Sequence, residues 1–515
     1  MNSPGFPPRR LTIRLWKGVV ALGLPVLAHA EPRLVAGAPS GGNIPLIWSS
    51  TPGRIYRVQT SDSLQTWSAL PPAVETLQPL LASSTTMSLS APAAGPRGFY
   101  RVSEDLYIDP PWADAKPLRT IFLSYNSTQT ALVNGATLRT AMLALIPGDQ
   151  LVIAPGTYSI SSLTDLVLNG TAQNPIRIVA GSGGSVVITR PDANQNVLNI
   201  GTAANASYLS LEGLEITGGS SGLRFGTCSN VRVDRCKIHH TGNDGIQANS
   251  RPIEKAYFTR NQIHDIGAPD AGGAGIYLGG VSTVAKQSVI AMNRIARANG
   301  SSLGYGIFVR DGSWGNLIAG NVVEDCELPG ITVFGTAGNP VNVVEHNVCL
   351  PGDDYGLHVQ KECIVRNNVV FGGEVGAFAS IPLSGQNPTK MTVVNNTFIA
   401  EWRAVRLGSW SAGTDNLFAN NACYSQTADA IFLAGSAGAT VFSGLVTFGT
   451  RPSGVSSIPG TGLGDFTNVT WNGASHDVTP TATSPLRGAA TASHASMLDL
   501  GYRLRTAPHV TGASR

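Results

Sequence analysis

The groups able to move protons or hold a cation gather in a few short stretches of this 515-residue sequence. His239-His240-Thr-Gly-Asn243-Asp244 comes first, followed by His264-Asp265 with Asp270, then Glu324-Asp325 and Asp353-Asp354. Tyr277 and Arg310 stand among them. Together these residue types suit the removal of a proton next to a carboxylate. That step needs a base, for which Tyr277, His239 and His240 are candidates, and a positive charge to neutralise the carboxylate. Arg310 can supply the charge, and so can a Ca²⁺ ion held by Asp244, Asp265 and Asp270. Each residue alone also has a plainer reading, because Asp and Asn favour turns for backbone reasons. Only an element that brings them onto one face lifts them above that background.

The element is a repeat. One line recurs: alternating residues, an Asn, any residue, an apolar residue, a variable loop, then Gly-Ile or its equivalent. It reads Phe258-Thr-Arg-Asn261-Gln-Ile, Ile290-Ala-Met-Asn293-Arg-Ile and Ile318-Ala-Gly-Asn321-Val-Val, and continues at Asn347, Asn368, Asn396 and Asn421. Cys236 and Leu214 keep the phase ahead of the series. The intervals of 32, 28, 26, 21, 28 and 25 residues exclude leucine-rich and helical repeats. They fit coils of three short strands with one elastic loop. The residue three before each Asn is apolar, as an inward stack requires. The Asn column reads as a ladder whose amides bond between coils, with Asn also tolerating left-handed turn geometry. About ten or more coils at roughly 4.8 Å each predict a rod of about 50 Å, an all-β right-handed parallel β-helix over 150–445.

Other segments frame the rod. Residues 1–30 read as a secretory signal, with Arg9, Arg10, Arg14 and Lys17 before a short apolar run and Ala28-His29-Ala30 as a cleavage pattern. An exported protein, outside the cell or in the periplasm, is therefore expected. The signal holds four of the 35 Lys and Arg and none of the 32 Asp and Glu, so the remainder is nearly neutral. That gives no support for a nucleic-acid partner. No later run is long and apolar enough to span a bilayer, and a monomer is expected. Residues 31–108 predict a small antiparallel sandwich of strand-like runs such as Ile44-Pro-Leu-Ile-Trp and Ile55-Tyr-Arg-Val-Gln. Tyr56-Arg-Val-Gln-Thr-Ser-Asp-Ser-Leu-Gln-Thr-Trp67 with Phe99-Tyr-Arg-Val resembles a module of large exported bacterial proteins. Asp109-Pro-Pro-Trp opens a linker over 109–149 that contains an amphipathic capping helix at 138–146. Residues 446–515 form a C-terminal cover. The six cysteines lack close symmetric spacing, and Cys349 and Cys423 fall at apolar repeat positions, so buried free thiols are expected.

Residues 118–445 resemble the right-handed parallel β-helix superfamily, which includes polysaccharide lyases, galacturonases, uronan epimerases and the nitrous-oxide-reductase accessory protein. Asn169-Gly-Thr-Ala-Gln-Asn-Pro-Ile-Arg-Ile178 is similar to a segment of β-helical lyases of the chondroitinase B, alginate lyase and pectate lyase type. The resemblance implies the fold and carbohydrate chemistry, and one fold hosts many reactions. The Asp-Pro-His-Asp motif of epimerases is absent. Asn243-Asp244-Gly245 and Gly352-Asp353-Asp354 echo galacturonase pieces but lie 109 residues apart, too far to share a substrate.

In such lyases the substrate lies along one parallel sheet flanked by the variable loops, which here are the Gly-Ile strands. Counting from each Gly predicts an outward column of Arg224, Gln247, Tyr277, Phe308, Thr332, His358, Phe378, Arg406 and Phe432. Two residues further come Asn249, Arg310, Phe334 and Gln360. Rings on this face suit sugars, and Arg310 or Arg406 suits uronate or sulfate. In a plainer reading the rings pack beneath the loops. A lyase on an acidic polysaccharide is therefore the first expectation, with hydrolase or epimerase behind it. A non-catalytic surface or carbohydrate-binding protein using the same face is the second, and a purely structural role the third.

Overall fold

A computed structural model describes residues 34–38, 43–50, 55–61, 68–70, 80–81, 86–92, 99–104 and 108–514, apart from 268–271, 301, 384, 497, 503–504 and 506. The expected signal at 1–30 and Asp270 lie outside the described residues. Among the described residues no helix is long and apolar enough to cross a membrane.

The chain is a right-handed parallel β-helix of about 12 turns, preceded by antiparallel sheets. Each coil gives one strand to each of three parallel sheets. Sheet A takes the strands just before the Asn, from Arg119–Leu123 to Val441–Ser443. Sheet B takes those just after it, from Gly156–Ser159 to Ile458–Pro459. Sheet C takes those after the long loop, from Asp165–Leu166 to Phe432–Ala434. Val233, Phe258, Ile290 and Ile318 align in successive sheet A strands and are fully buried. Burial of this continuous apolar interior is the main driving force for closing the coils.

The Asn column is an internal ladder. Asn347 Nδ2 donates to Asn368 Oδ1 and to the Ile318 carbonyl, both at 2.9 Å. Its Oδ1 accepts from the backbone N–H and the Nδ2 of Asn321, again at 2.9 Å. The left-handed conformation belongs to the residue before each ladder Asn, not to the Asn itself. Arg260, Met292, His346, Asn367, Asn395 and Asn420 have φ between 54° and 57°. This residue turns the chain from sheet A to sheet B with its side chain outside, so the next side chain points in and reaches its neighbours. The left-handed turns cost roughly 1–2 kcal/mol each, offset by buried amide bonds.

Three boundaries differ from expectation. The helix runs over Ala131–Leu143, earlier than 138–146, with Thr130 Oγ1 accepting from the Val133 N–H. Asn134-Gly135 looks like a turn, yet a Cβ on Gly135 would lie 2.0 Å from the Ser159 carbonyl oxygen, so glycine is there for close approach. Sheet A starts inside the expected linker, since Arg119–Leu123 pairs with Asp149–Ile153. The linker's first residues are docked: Asp109 accepts from Arg232 at 3.0 Å, and Trp112 packs edge-on to Tyr208. At the other end, sheet B continues past 445 through Val446–Thr450 and Ile458–Pro459. All six cysteines are buried free thiols.

The C-terminal segment is fastened to the left-handed residues. Asn395 Oδ1 accepts from the Ser496 N–H at 2.7 Å, and Asn367 Oδ1 accepts from Ser496 Oγ and from Arg505 at 2.8 and 3.1 Å. Tyr502 stacks on His346 with centroids 4.0 Å apart. In the Asn-Asn pairs, then, the second amide joins the ladder and the first holds the cover.

Replacing Asn347 with Ala leaves the buried Asn321 N–H without its partner and removes one bond each from the Asn321 amide and the Ile318 carbonyl. The expected cost is about 1–3 kcal/mol for each buried group left unsatisfied. It should appear as a lowered thermal midpoint, and an unchanged midpoint would show that the ladder is dispensable at that coil.

Candidate functional site

The sheet C face is built by a glycine column. A Cβ on Gly275 would lie 2.6 Å from the Gly306 carbonyl oxygen, and one on Gly306 2.4 Å from that of Gly330. No side chain fits, so each coil drops directly onto the next. The outward register is Arg224, Gln247, Tyr277, Phe308, Thr332, His358, Ala379, Arg406 and Phe432. Phe378 is the exception to the expected column: it aligns with Leu357 and Val405, points inward and stacks on Phe398 at 4.9 Å. Ala377 takes the place of the column's glycine there, which moves the count by one, and the apolar ring gains by going inside.

The aromatic side chains on this face cover one another. Tyr277 and Phe308 stack at 4.9 Å, Tyr305 lies over Phe308 at 4.2 Å, and Phe334 meets Phe308 edge-on at 5.4 Å. Leu303 and Leu383 close around them, leaving Tyr277, Phe308 and Phe334 only 7%, 3% and 8% exposed. The plainer reading therefore holds for the rings at the centre. Gln360 is likewise engaged, donating to the Leu383 carbonyl at 3.0 Å and so tying down a loop.

Polar groups emerge around this cluster. Arg310 lies over the Phe308 ring and donates to Tyr277 Oη at 3.3 Å. Arg406 donates to Tyr355 Oη at 3.1 Å. Neither guanidinium has a carboxylate partner among the described residues, unlike Arg294, Arg297, Arg366 and Arg403. Arg310 Nε, Thr332 Oγ1, His358 Nε2 and Arg406 Nε are buried without hydrogen-bond partners. Burial, reinforced by the Arg406 charge, pushes the His358 imidazole down to about 4.

Asp244 sits at the start of this face and accepts the Ala274 N–H at 2.8 Å. Burial pushes its carboxyl up to about 7, against the pull of that N–H, the Gln247 side chain and the Arg224 charge. Structure thus brings Arg224, Gln247 and Asp244 together. A carboxyl titrating near neutrality is a general acid or base candidate rather than a cation ligand, a role its Asp-Gly turn context had hidden.

The histidines lie elsewhere. His239 and His264 align in sheet B, their rings parallel at 5.1 Å, so His239 and His240 do not share a sheet with Tyr277. His239 Nε2 meets Glu215 at 2.9 Å and its Nδ1 meets His240 Nδ1 at 2.7 Å. Asp265 is bound by Arg297 at 2.5 and 3.0 Å and by His264 at 2.7 Å; Arg297 holds the Asp265 carboxyl well below the usual range. The stack of His240, Asp265, Arg297 and Asp325 follows the register, and all four have left-handed φ. A cleft of about 460 Å³ beside them is lined by Arg297, Glu324, Asp325 and the Asn472–Ala474 turn. Asp265 is committed to a cation of its own chain and Asp244 is buried on another sheet, so these two do not fit a shared Ca²⁺. Among the described residues no set of three or more His, Cys, Asp or Glu gathers as a metal site.

Two family models match consecutive parts of the coils. Residues 124–274 match the Pel9A-like right-handed β-helix region, and residues 273–444 match the periplasmic copper-binding protein NosD. No curated protein matches the chain. Similar solved structures include the pectate lyase Pel9A, with 16% identity and TM-score 0.46 over 78% of this chain and 97% of that one. The alginate lyase AlyGC has 15% identity and TM-score 0.45, over 76% of this chain and 57% of its own. A mannuronic-acid-specific family 6 lyase from human gut microbiota has 15% identity and TM-score 0.42, over 65% and 87%.

His358 gives this face a pH signature. Its folded pKa is depressed, so it contributes stability above its ordinary value of 6.5 that is lost as pH falls toward about 4. His358→Gln should therefore shrink the drop in thermal midpoint between pH 7 and pH 4.5. An equal drop in both proteins would assign the acid sensitivity elsewhere.

Proposed function

We propose that this chain, a member of the right-handed parallel β-helix superfamily, is an exported carbohydrate-active protein that cleaves a uronate-containing polysaccharide by β-elimination along sheet C. The observation that carries the reading is the Tyr277–Arg310 pair: a phenol oxygen touched by a guanidinium that has no carboxylate partner among the described residues. Tyr277 first gives up its own phenol proton to solvent, and its Oη then takes the proton from the carbon next to the uronate carboxylate. Arg310 pairs with that carboxylate and stabilises the charge that develops on it. The electron pair left by the proton forms the new carbon–carbon double bond, the glycosidic C–O bond breaks, and the leaving oxygen takes up the proton that Tyr277 has received. In this reading Arg310 supplies the neutralising charge, rather than a Ca²⁺ ion on Asp244 and Asp265. Substrate reaches the pair by displacing the side chains of the loop around Leu303 and Tyr305.

The slight exposure of Tyr277, Phe308 and Phe334 is what a purely structural role of these rings predicts; the functional readings of the face are the lyase and a non-catalytic glycan-binding β-helix. The two separate on a panel of uronate and sulfated polymers followed by the ultraviolet absorbance of unsaturated products. A rise on at least one polymer is expected, retained with chelator, and Tyr277→Phe should lower its rate by about 100-fold or more. Saturable binding with no product on any polymer would overturn the lyase in favour of the binding protein. Loss of the rise with chelator would move the neutralising role from Arg310 to a metal.

A further inference from the structure

We infer that sheet C carries a second glycan subsite, built from Trp402, Arg403 and Arg406, which grips an acidic chain about four sugars away from Tyr277 and Arg310. The inference rests on the glycan reading above and adds to it the length of chain the protein selects.

The register fixes the separation. Phe308, the strand neighbour of Arg310, is followed outward by Thr332, His358, Ala379 and Arg406, one per coil. Four coil steps of roughly 4.8 Å make about 19 Å, and a pyranose unit in an extended chain advances by about one coil step. A glycan lying along the rod therefore meets Arg406 roughly four units after Arg310.

Three observations give the far end the character of a ligand site. Trp402, in the loop ahead of Val405–Gly408, is 45% exposed although it is the largest apolar side chain there. Its ring is held in place from one side: the Arg403 guanidinium lies 4.2 Å from the indole and 4.3 Å from the Phe432 ring. Arg403 also donates to Asp429 at 3.3 Å, so its position is set by the fold. An indole fixed in this way offers a flat apolar surface of the kind that pyranose C–H faces pack against. Arg406 is the complementary charge. Among the described residues its side chain hydrogen-bonds to the Tyr355 hydroxyl, and its Nε is buried without a partner. Glu401 and Asp415 are the nearest acidic residues along the chain and neither pairs with Arg406, while Asp429, in the next coil, is already bonded to Arg403 and Thr450. Along the floor between the two ends, Thr332 Oγ1 and His358 Nε2 are also without partners. Among the described residues the face thus has a cation at each end, buried unpaired polar atoms beneath it between them, and an exposed aromatic platform at the far end.

Size-defined uronate oligosaccharides test the inference on the full chain. The readout is kcat/KM for the octamer divided by that for the trimer, or the corresponding ratio of affinities if the chain binds without turnover. Trp402→Ala should lower this length preference by about tenfold, as expected for losing one well-packed contact residue, and Trp402→Phe should restore part of it. Because Trp402 is half exposed, the fold should survive, which a thermal midpoint will check. A length preference unchanged in Trp402→Ala would overturn the subsite while leaving the lyase reading intact. Failure of the unaltered chain to bind or cleave any glycan would overturn that reading, and the subsite with it.

Discussion

Between sheets A and B the coils from Asn261 to Asn396 each bury one asparagine amide, bonded both to the coil before it and to the coil after it. In an apolar interior an amide left with a free donor or acceptor is costly, so every coil must present its Asn at the same height and angle as its neighbours. That requirement sets the register of all three sheets. The left-handed residue just before the Asn is its geometric counterpart: it makes the turn tight enough for the next side chain to point inward. The loops between sheets B and C carry no comparable constraint, and so they vary in length without disturbing the columns.

Fixed register has a direct bearing on the face. Because coils stack without sideways slip, residues one coil apart in sheet C form straight columns, and unlike groups are brought together simply by sharing a column or by standing two positions apart. Tyr277 and Arg310 meet in this way, whereas Arg406 reaches Tyr355 across two coils. The same rule keeps His239 and His240 away from Tyr277, since they belong to a different sheet of the same coils. Sheet B has its own chemistry, an alternation of acid, imidazole and guanidinium in which nearly every charge is satisfied internally. Sheet C retains guanidiniums, Arg310 and Arg406, that have no carboxylate partner among the described residues, and for that reason the functional reading rests on it.

Much of the fold was legible because the ladder repeats in the sequence. The Asn spacing gave the coils, the apolar residue three before it gave the interior, and the glycines and their equivalents gave the outward column through Phe432 but for one position. Phe378 was misread because Ala377 serves where the pattern shows glycine; Ala404 in the following coil does the same and was the available clue. The Asn-Asn doublets also held unread information. They begin at Asn367-Asn368, where the C-terminal segment lies against the turn, whereas earlier coils place Arg, Met, Gly or His before the ladder residue. The candidate site was legible only as a set of residue types. Whether Tyr277, Phe308 and Phe334 are open depends on how Leu303, Tyr305 and Leu383 fold over them, and loop packing has no period to read. The pairing of Asp265 with Arg297 was hidden for a related reason: the stack was visible, but not that its charges would neutralise each other.

The fastening of Ser496 and Arg505 to Asn395 and Asn367 ties residues more than a hundred positions apart. A solenoid can in general assemble coil by coil as the chain emerges, because each turn needs only its predecessor. Here the later coils keep open amide sockets on their outer corner until this distal stretch has been made. Assembly from the amino-terminal end thus runs ahead while the far third remains provisional, and it is finished by a latch rather than by one more turn.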